Sequence, residues 1–376
     1  MPPVAPMLAK PVRGIPAGQL YEPKWDGFRS IVFRDGGDVE LGSRNERNMT
    51  RYFPELVEAM REGLPNRCVV DGEIVVPGED GTTLDFWSLQ QRVHPAASRV
   101  NMLAEKTPAR LIVFDLLALG DRDLMSEPFA DRRARLQDAL AVPSPSIHLT
   151  PITADEQLAA RWFEQFEGAG LDGLIAKRHD LTYQPNKRVM AKVKHVRTAD
   201  CVVAGYRLHR TAGDAVGSLL LGLYDDGDES VVPSAFREWM DTNGDDGGGD
   251  DSDGGPALIS VGVVGAFPMA QRRQLLEDLQ PLVTTFDDHP WHWAADMAAA
   301  QGQGAGHRWD ARRDLSFVPL RPERVVEVRY DYMDGFRFRH TAQFVRWRPD
   351  RDPLSCGYAQ LEQPEPFELG AILGNY

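Results

Sequence analysis

The sequence predicts an α+β protein of two domains, and three observations carry that expectation. A chain of 376 residues is longer than one hydrophobic core ordinarily supports. Up to Thr198, short strand-like runs alternate with amphipathic helical ones; from Asp200 onward, short strands with turn signals carry one clear helix, the pattern of a small β-barrel. The composition, 42% apolar and 26% charged, is that of a globular protein. Domains are therefore expected at 1–198 and 199–376.

The elements follow in order. Arg29–Arg34 and Asp38–Arg44 read as two strands joined by Asp35-Gly36-Gly37, a hairpin signal. Thr50 is placed to cap a helix whose Phe53, Leu56, Val57 and Met60 share one face and which stops at Gly63. Cys68–Val76 reads as a strand interrupted at Asp71-Gly72-Glu73 and closed by Pro77-Gly78, with a short helix over Leu84–Arg92 after it. Arg110–Leu119 (RLIVFDLLAL) is nearly all apolar, as a central buried strand must be. Helices are expected at Ala130–Leu140 and Asp155–Glu167, the second opened by a capping box from Thr153 to Glu156 and stopped by Gly168 and Gly170. Leu171–Arg178 and Val189–His195 are further strands. In the second domain, strands are expected at Asp200–Leu208, Gly217–Tyr224, Leu258–Val264 and Arg324–Tyr332, and a helix at Met269–Leu279. Residues 225–256, rich in Asp and Gly, read as an insertion between two barrel strands, and Ala298–Gly306 as a loop.

Net charge is −14, which at first sight argues against a nucleic-acid partner. The distribution says otherwise: Asp225–Gly255 holds eleven acidic residues and one basic residue, Arg237, leaving only −4 on the rest of the chain. Three scattered cysteines, Cys68, Cys201 and Cys356, exclude a zinc ribbon or disulfide framework and fit a reducing compartment. No basic segment followed by an apolar one opens the chain, and no apolar run approaches the ~18 residues that span a bilayer. A cytoplasmic, nucleoid-associated protein without membrane contact is expected.

The stretch around which the chemistry is organised is Tyr21-Glu22-Pro23-Lys24-Trp25-Asp26-Gly27-Phe28-Arg29. If extended, it puts Lys24 and Asp26 on one face, and Gly27 then allows a sharp turn. This describes a lysine nucleophile at a strand end, or equally an ordinary surface turn. Further polar residues sit at the ends of strands that otherwise want burial: Arg44, Asp71-Gly72-Glu73, Phe114-Asp115, Asp172 with Lys177, Lys192 and Lys194, and Arg346, Arg348 and Asp350. Lys192 and Lys194 are two cations on one strand face, which repel unless water or an anion such as a polyphosphate separates them. Taken together the set is what covalent nucleotidyl transfer needs. A lysine near pKa ~10.4 must lose its proton to attack an α-phosphate, and nearby cations and burial promote that. Carboxylates such as Glu73 or Asp172 suit Mg²⁺, and an aromatic such as Phe114 suits a purine. No GxxxxGK[ST] motif occurs, and Gly302, Gly304 and Gly306 are loop glycines. His289 and His292 have a ligand-like spacing, but Pro290 lies between them and no partner cluster follows, so no metal site is assigned there.

The set, in this order, resembles the ATP-dependent DNA ligases of the covalent nucleotidyltransferase superfamily, most closely the small bacterial ligase C type. Glu22 through Arg29 looks like motif I, Ser43-Arg44-Asn45 like motif Ia, Asp71-Gly72-Glu73 like motif III, and Phe114 through Leu117 like motif IIIa. Asp172 through Lys177 is similar to motif IV, Ala191 through Lys194 to motif V and Arg346 through Arg351 to motif VI; Phe86 through Arg92 also resembles a stretch these ligases carry. The resemblance implies an adenylation domain of antiparallel sheets and helices, then an OB-fold that swings over the nucleotide. It implies that Lys24 carries AMP, with Asp26 beside it in the motif and Lys192 and Lys194 on the α-phosphate. Glu22, Arg29, Arg44, Glu73, Phe114 and Lys177 would bind the nucleotide, and Glu73 and Asp172 would sit at Mg²⁺ or Mn²⁺. Arg346, Arg348 and Asp350 would act on ATP and pyrophosphate when the barrel closes.

The sequence departs from that pattern at Asp172 in place of Glu, Met190 in place of an aromatic and Arg351 in place of Lys. NAD⁺-dependent ligases place a domain ahead of the lysine and a four-cysteine zinc module behind it; here 23 residues precede Lys24, so ATP is the expected nucleotide. The expected partner is nicked double-stranded DNA, met by a monomer through Lys187/Arg188, His195/Arg197, Arg207/His209/Arg210 and Arg337/Arg339/His340, clusters that also read as solvated faces. A repair polymerase or end-binding protein would accompany it. An RNA ligase, a GTP-using capping enzyme and a non-enzymatic DNA-end-binding module are the alternatives.

Overall fold

Short strands alternating with helices in the first half resolve into two sheets. The computed structural model describes residues 3–79, 81–142, 144–229, 231–232, 256–291, 316–362 and 364–373. The chain divides into two compact units, Met1–His195 with Pro364–Tyr376, and Val196–Gln363. Strands of the first unit are β1 (Leu8–Pro11), β2 (Leu20–Pro23), β3 (Phe28–Asp35), β4 (Asp38–Ser43), β5 (Arg67–Val75), β6 (Arg110–Leu119), β7 (Arg122–Asp123), β8 (Ile147–Leu149), β9 (Leu174–Lys177) and β10 (Arg188–Val193). One sheet has the order β1-β10-β9-β2 and the other β4-β3-β5-β6-β7, with β8 parallel to β6. All pairings within the two sheets are antiparallel except β1 on β10 and β8 on β6.

The apolar run Arg110–Leu119 is the central strand β6, buried along all but its two ends. The 35–37 hairpin forms between β3 and β4, with Gly36 at φ +62°, where glycine carries no steric penalty. Three expectations are corrected. Thr50 does not cap the following helix: its Oγ1 accepts from Leu41 N–H, and the helix Pro54–Gly63 starts on its own proline. Asp71-Gly72-Glu73 does not interrupt β5, which absorbs the charges through a register shift against β6 between Asp71 and Gly72. The helix Glu156–Gln165 is capped by Asp155, which accepts from Gln157 and Leu158 N–H, not by Thr153. The helix Ala97–Lys106 escapes sequence reading because it has no side-chain cap and buries only Val100 and Leu103.

Strands of the second unit are β11 (Arg197–His209), β12 (Ala212–Tyr224), β13 (Leu258–Val264), β14 (Val318–Pro319), β15 (Val325–Tyr330), β16 (Met333–Asp334), β17 (Arg337–Phe338) and β18 (Gln343–Trp347). The main sheet runs β13-β12-β11-β15-β18, and a parallel bridge from Val264 to Ala342 joins its two edges. Five strands closed in this way, with the helix Met269–Leu279 between the third and fourth, make the expected OB-fold. Most of the acidic stretch 225–256, His292 and the whole of 298–306 lie outside the described residues.

Residues 364–373, expected from sequence to close the barrel domain, pack on the first unit instead. Leu369, Ile372 and Leu373 are buried in one cluster with Trp25, Val75, Ile112, Phe166 and Leu171. The physical reason is an apolar trough: Phe367 lies 5.2 Å from the Phe166 ring, Leu369 N–H donates to Thr82 O, and Gly168 lets the returning backbone pass. A Cβ at Gly168 would stand 1.8 Å from Glu365 O. Among the described residues, no helix is long and apolar enough to cross a membrane.

Candidate active site

Backbone hydrogen bonds set the first side chain. Lys24 leaves β2, and its N–H donates to Gly173 O at 2.8 Å while its carbonyl accepts from Asp172 N–H at 2.9 Å. Gly173 has φ +107°, and a Cβ there would stand 2.1 Å from Val193 O, so only glycine fits between the ends of β9 and β10. Gly27 is needed for a different reason from the sharp turn expected of it. A Cβ would stand 2.1 Å from Ile74 O, so the glycine lets the chain pass close to β5.

These constraints bring Lys24 Nζ to 2.5 Å from Asp172 Oδ2, and Lys194 Nζ to 2.7 Å from the same oxygen. One carboxylate thus bridges two amines separated from it by very different stretches of chain. Lys192 is the third amine. Burial foremost, then Lys194 and Lys24, draw it below the usual lysine range, with Asp172 opposing.

Lys24 lines a cavity open to solvent. Eight expected residues line it: Glu22, Lys24, Arg29, Arg44, Glu73, Phe114, Lys177 and Lys192. Asp172 and Lys194 reach it through Lys24 and its ion pair. Asp26 does not line it; its charge acts on Glu73. Arg44, on the chain leaving β4, is exposed.

Arg29 is a fork held in place. Its Nε and Nη2 donate to the two oxygens of buried Asp71 at 2.5 and 2.6 Å, and Tyr183 Oη donates to Asp71 Oδ2 at 2.6 Å. Its guanidinium lies 4.5 Å from the Phe114 ring centre. Burial disfavours the Arg29 charge, but Asp71 more than offsets it and holds the guanidinium above its ordinary range. Burial pushes the Glu73 carboxyl up to about 7, against the pull of Arg29 and Lys24 and with help from Asp26 and Asp71. Deeper in, Lys177 Nζ pairs with Glu22 Oε2 at 2.7 Å.

Sequence reading missed Asp71 and Tyr183 as the supports of Arg29, Arg133 beneath Glu22, and Met7, which lines the cavity from the chain before β1. Met190 lines it too, on β10, where an aromatic was expected. His195 stacks on Phe163 at 3.9 Å with its Nε2 2.7 Å from Phe163 O, and buried His289 has its Nε2 2.7 Å from Ala204 O. Both hold structure. In the second unit, Arg346 pairs with Glu327 at 2.7 Å, and Arg348 with Asp200 at 2.8 Å and Asp350 at 2.9 Å. Bonding from Arg348 holds the Asp350 carboxyl down at about 2.

The arrangement offers one amine beside a carboxylate, a ring of cations and an aromatic shelf, which suits attack by an amine on a nucleotide phosphate. A family profile described as "ATP dependent DNA ligase domain" matches residues 6–194, and one described as "ATP dependent DNA ligase C terminal region" matches 247–351. The chain is 63% identical to DNA ligase C2 of Mycolicibacterium smegmatis, over 97% of this chain and 96% of that protein. It is 60% identical to DNA ligase C of Mycobacterium tuberculosis, over 99% and 98%. Among solved structures, a Lig E DNA ligase shares the fold at TM-score 0.51 and 16% identity, over 92% of this chain and 99% of that one. The chain belongs to the ATP-dependent DNA ligase family.

Proposed function

We propose that the protein is an ATP-dependent DNA ligase that seals 5′-phosphate/3′-hydroxyl nicks in duplex DNA during repair. The observation that carries this reading is Lys24 lining the cavity, its backbone pinned by bonds to Gly173 and Asp172, its Nζ paired with Asp172 and set among Lys192, Lys194 and Arg29. Lys24 Nζ attacks the α-phosphorus of ATP; the N–P bond forms, the α–β bridge breaks and pyrophosphate leaves. Asp172 Oδ2 is the nearest acceptor for the proton that the amine gives up. A 5′-phosphate oxygen of the nick then displaces Lys24 from the AMP phosphorus, and the 3′-hydroxyl displaces AMP from the 5′-phosphorus. Lys192, Lys194 and the Arg29 fork stabilise charge on the phosphate oxygens as it moves, a contribution that comes from fixed position.

Glu73 lines the cavity and Asp172 adjoins it through Lys24, and these carboxylate oxygens are the hard donors that would hold Mg²⁺ or Mn²⁺. Bound there, the ion would supply counter-charge to the phosphates. Phe114 gives the base a face to stack on, and Glu22 an acceptor.

The test is sealing of a nicked DNA duplex with Mg²⁺ and either ATP or NAD⁺, beside a nicked RNA duplex. Sealing of nicked DNA with ATP is expected. Sealing with NAD⁺ alone, or of RNA alone, overturns the reading.

A further inference from the structure

Residues 364–373 reach the reacting groups through two short runs of chain. The first is Trp25, the residue after Lys24. Its Nε1 donates to Thr150 Oγ1 at 2.8 Å, and its ring is buried in one cluster with Leu369, Ile372 and Leu373. Among the described residues, Trp25 is the member of that cluster that also lines the cavity. The second run starts at the 3-10 turn Phe166–Ala169, on which the C-terminal segment is seated. Phe367 lies 5.2 Å from the Phe166 ring, and Glu365 O passes over Gly168. Leu369 N–H donates to Thr82 O at 2.8 Å and Leu84 N–H to Ala169 O at 3.1 Å, so the chain at 82–84 is tied to both the segment and the turn. From Ala169 the chain runs through Gly170 and Leu171 into Asp172, and Leu171 belongs to the same cluster.

Trp25 and Leu171 thus stand one residue from Lys24 and Asp172, whose side chains meet at 2.5 Å. β2 ends at Pro23 and β9 begins at Leu174, so both reacting residues lie just beyond the strands and depend on what packs behind them. A close-packed interior passes a shift at one residue to its neighbours. We infer that the C-terminal segment is a positioning element for the attack by Lys24. Leu369, Ile372 and Leu373 hold Trp25 and Leu171, and through them set Lys24 Nζ against Asp172. A misplacement of about 1 Å at reacting atoms costs on the order of a hundredfold in rate. The role requires Lys24 to be the group that takes AMP, and so rests on the ligase reading. The competing account makes the segment a cover for apolar surface that contributes stability alone.

Single-turnover self-labelling of the full-length protein with α-labelled ATP and Mg²⁺ separates the two accounts. Its amplitude reports how much protein is folded, and its rate constant reports how the folded site reacts. Leu369→Ala should lower the rate constant at saturating ATP by roughly tenfold or more, while the half-saturating ATP concentration stays within about threefold of wild type. Leu369→Met, which keeps the volume, should restore most of the rate. Sealing of a nick already carrying AMP on its 5′-phosphate, which needs no attack by Lys24, should fall far less. Ile372→Val removes one methylene; it should slow labelling roughly two- to fivefold, and it decides the matter if Leu369→Ala does not fold. Leu56→Ala, a change at a fully buried residue in a different cluster of the same unit, should leave the rate constant intact. Wild-type rate constants in Leu369→Ala and Ile372→Val, whatever their amplitudes, overturn the inference in favour of the cover. So does equal slowing of self-labelling and of sealing the adenylated nick, or slowing by Leu56→Ala as large as that by Leu369→Ala. Failure of wild type to take label from ATP overturns the ligase reading instead.

Discussion

Replacing Glu73 with Gln should make the protein more stable at alkaline pH while it destroys nucleotide transfer. Burial holds the Glu73 carboxyl near 7, against an ordinary value of 4.5, so the folded state binds this proton more tightly than the unfolded state does. Stability from this group is then present at low pH and lost as pH rises from 4.5 through about 7, because the folded state must ionise a half-buried carboxyl. At about 1.36 kcal/mol per pKa unit the full span is worth roughly 3 kcal/mol, and water in the cavity lowers that to about 1–2 kcal/mol. Gln copies the protonated carboxyl and removes the cost. By calorimetry, Glu73→Gln should melt roughly 2–8 °C above wild type at pH 8.5, and the two should converge near pH 5. Saturating ATP with Mg²⁺ should reverse the order at pH 8.5, since only wild type gains from binding. A variant less stable than wild type at both pH values, or a difference independent of pH, refutes the reasoning.

Asp172→Asn leaves Lys24 and Lys194, 2.5 and 2.7 Å from one oxygen, without their shared counter-charge; self-labelling should fall by roughly a hundredfold and stability by about 1–3 kcal/mol. Unchanged labelling would make Asp172 a bystander. Arg348→Ala, which breaks the bonds to Asp200 and Asp350, should slow self-labelling with ATP but spare sealing of a nick already carrying AMP on its 5′-phosphate, and equal loss in both assays would contradict a role confined to the first step. Leu369→Ala should cost about 2–3 kcal/mol in the first unit by urea unfolding, because the side chain is fully buried beside Trp25. Gly168→Ala should lift the C-terminal segment and expose it to protease, since a Cβ meets Glu365 O at 1.8 Å, and protection equal to wild type would deny that the segment is seated there.

The residues lining the cavity were legible because they violate their surroundings: Lys24, Lys177 and Lys192 stand at or beside the ends of strands that are otherwise apolar, and Glu73 stands inside one. Their supports were not. Asp71 looks like a break in a strand, yet it is the buried anchor of Arg29, and its other partner, Tyr183, lies 112 residues away. Arg133 follows Arg132 on a helix rich in charge, where solvent is the natural reading, and both prove buried. Periodicity reports which face of an element is apolar, and it is silent on which distant group satisfies a polar atom on that face. The same silence hides the C-terminal return, because Leu369, Ile372 and Leu373 signal a buried face without saying whose. In the barrel four of the five main strands were foreseeable from their turns, whereas β18 was not expected, and the β13-to-β18 closure depends on long-range pairing that no local signal reports.

The central claim is that Lys24 carries the nucleotide, and it is tested by incubating the protein with α-labelled ATP and Mg²⁺, mapping the label by peptide mass spectrometry, and adding nicked duplex. The account predicts one acid-labile AMP on Lys24, absent from Lys24→Ala, that passes to the 5′ end of the nick when DNA is added. AMP on another residue, or labelling that survives Lys24→Ala, would contradict it.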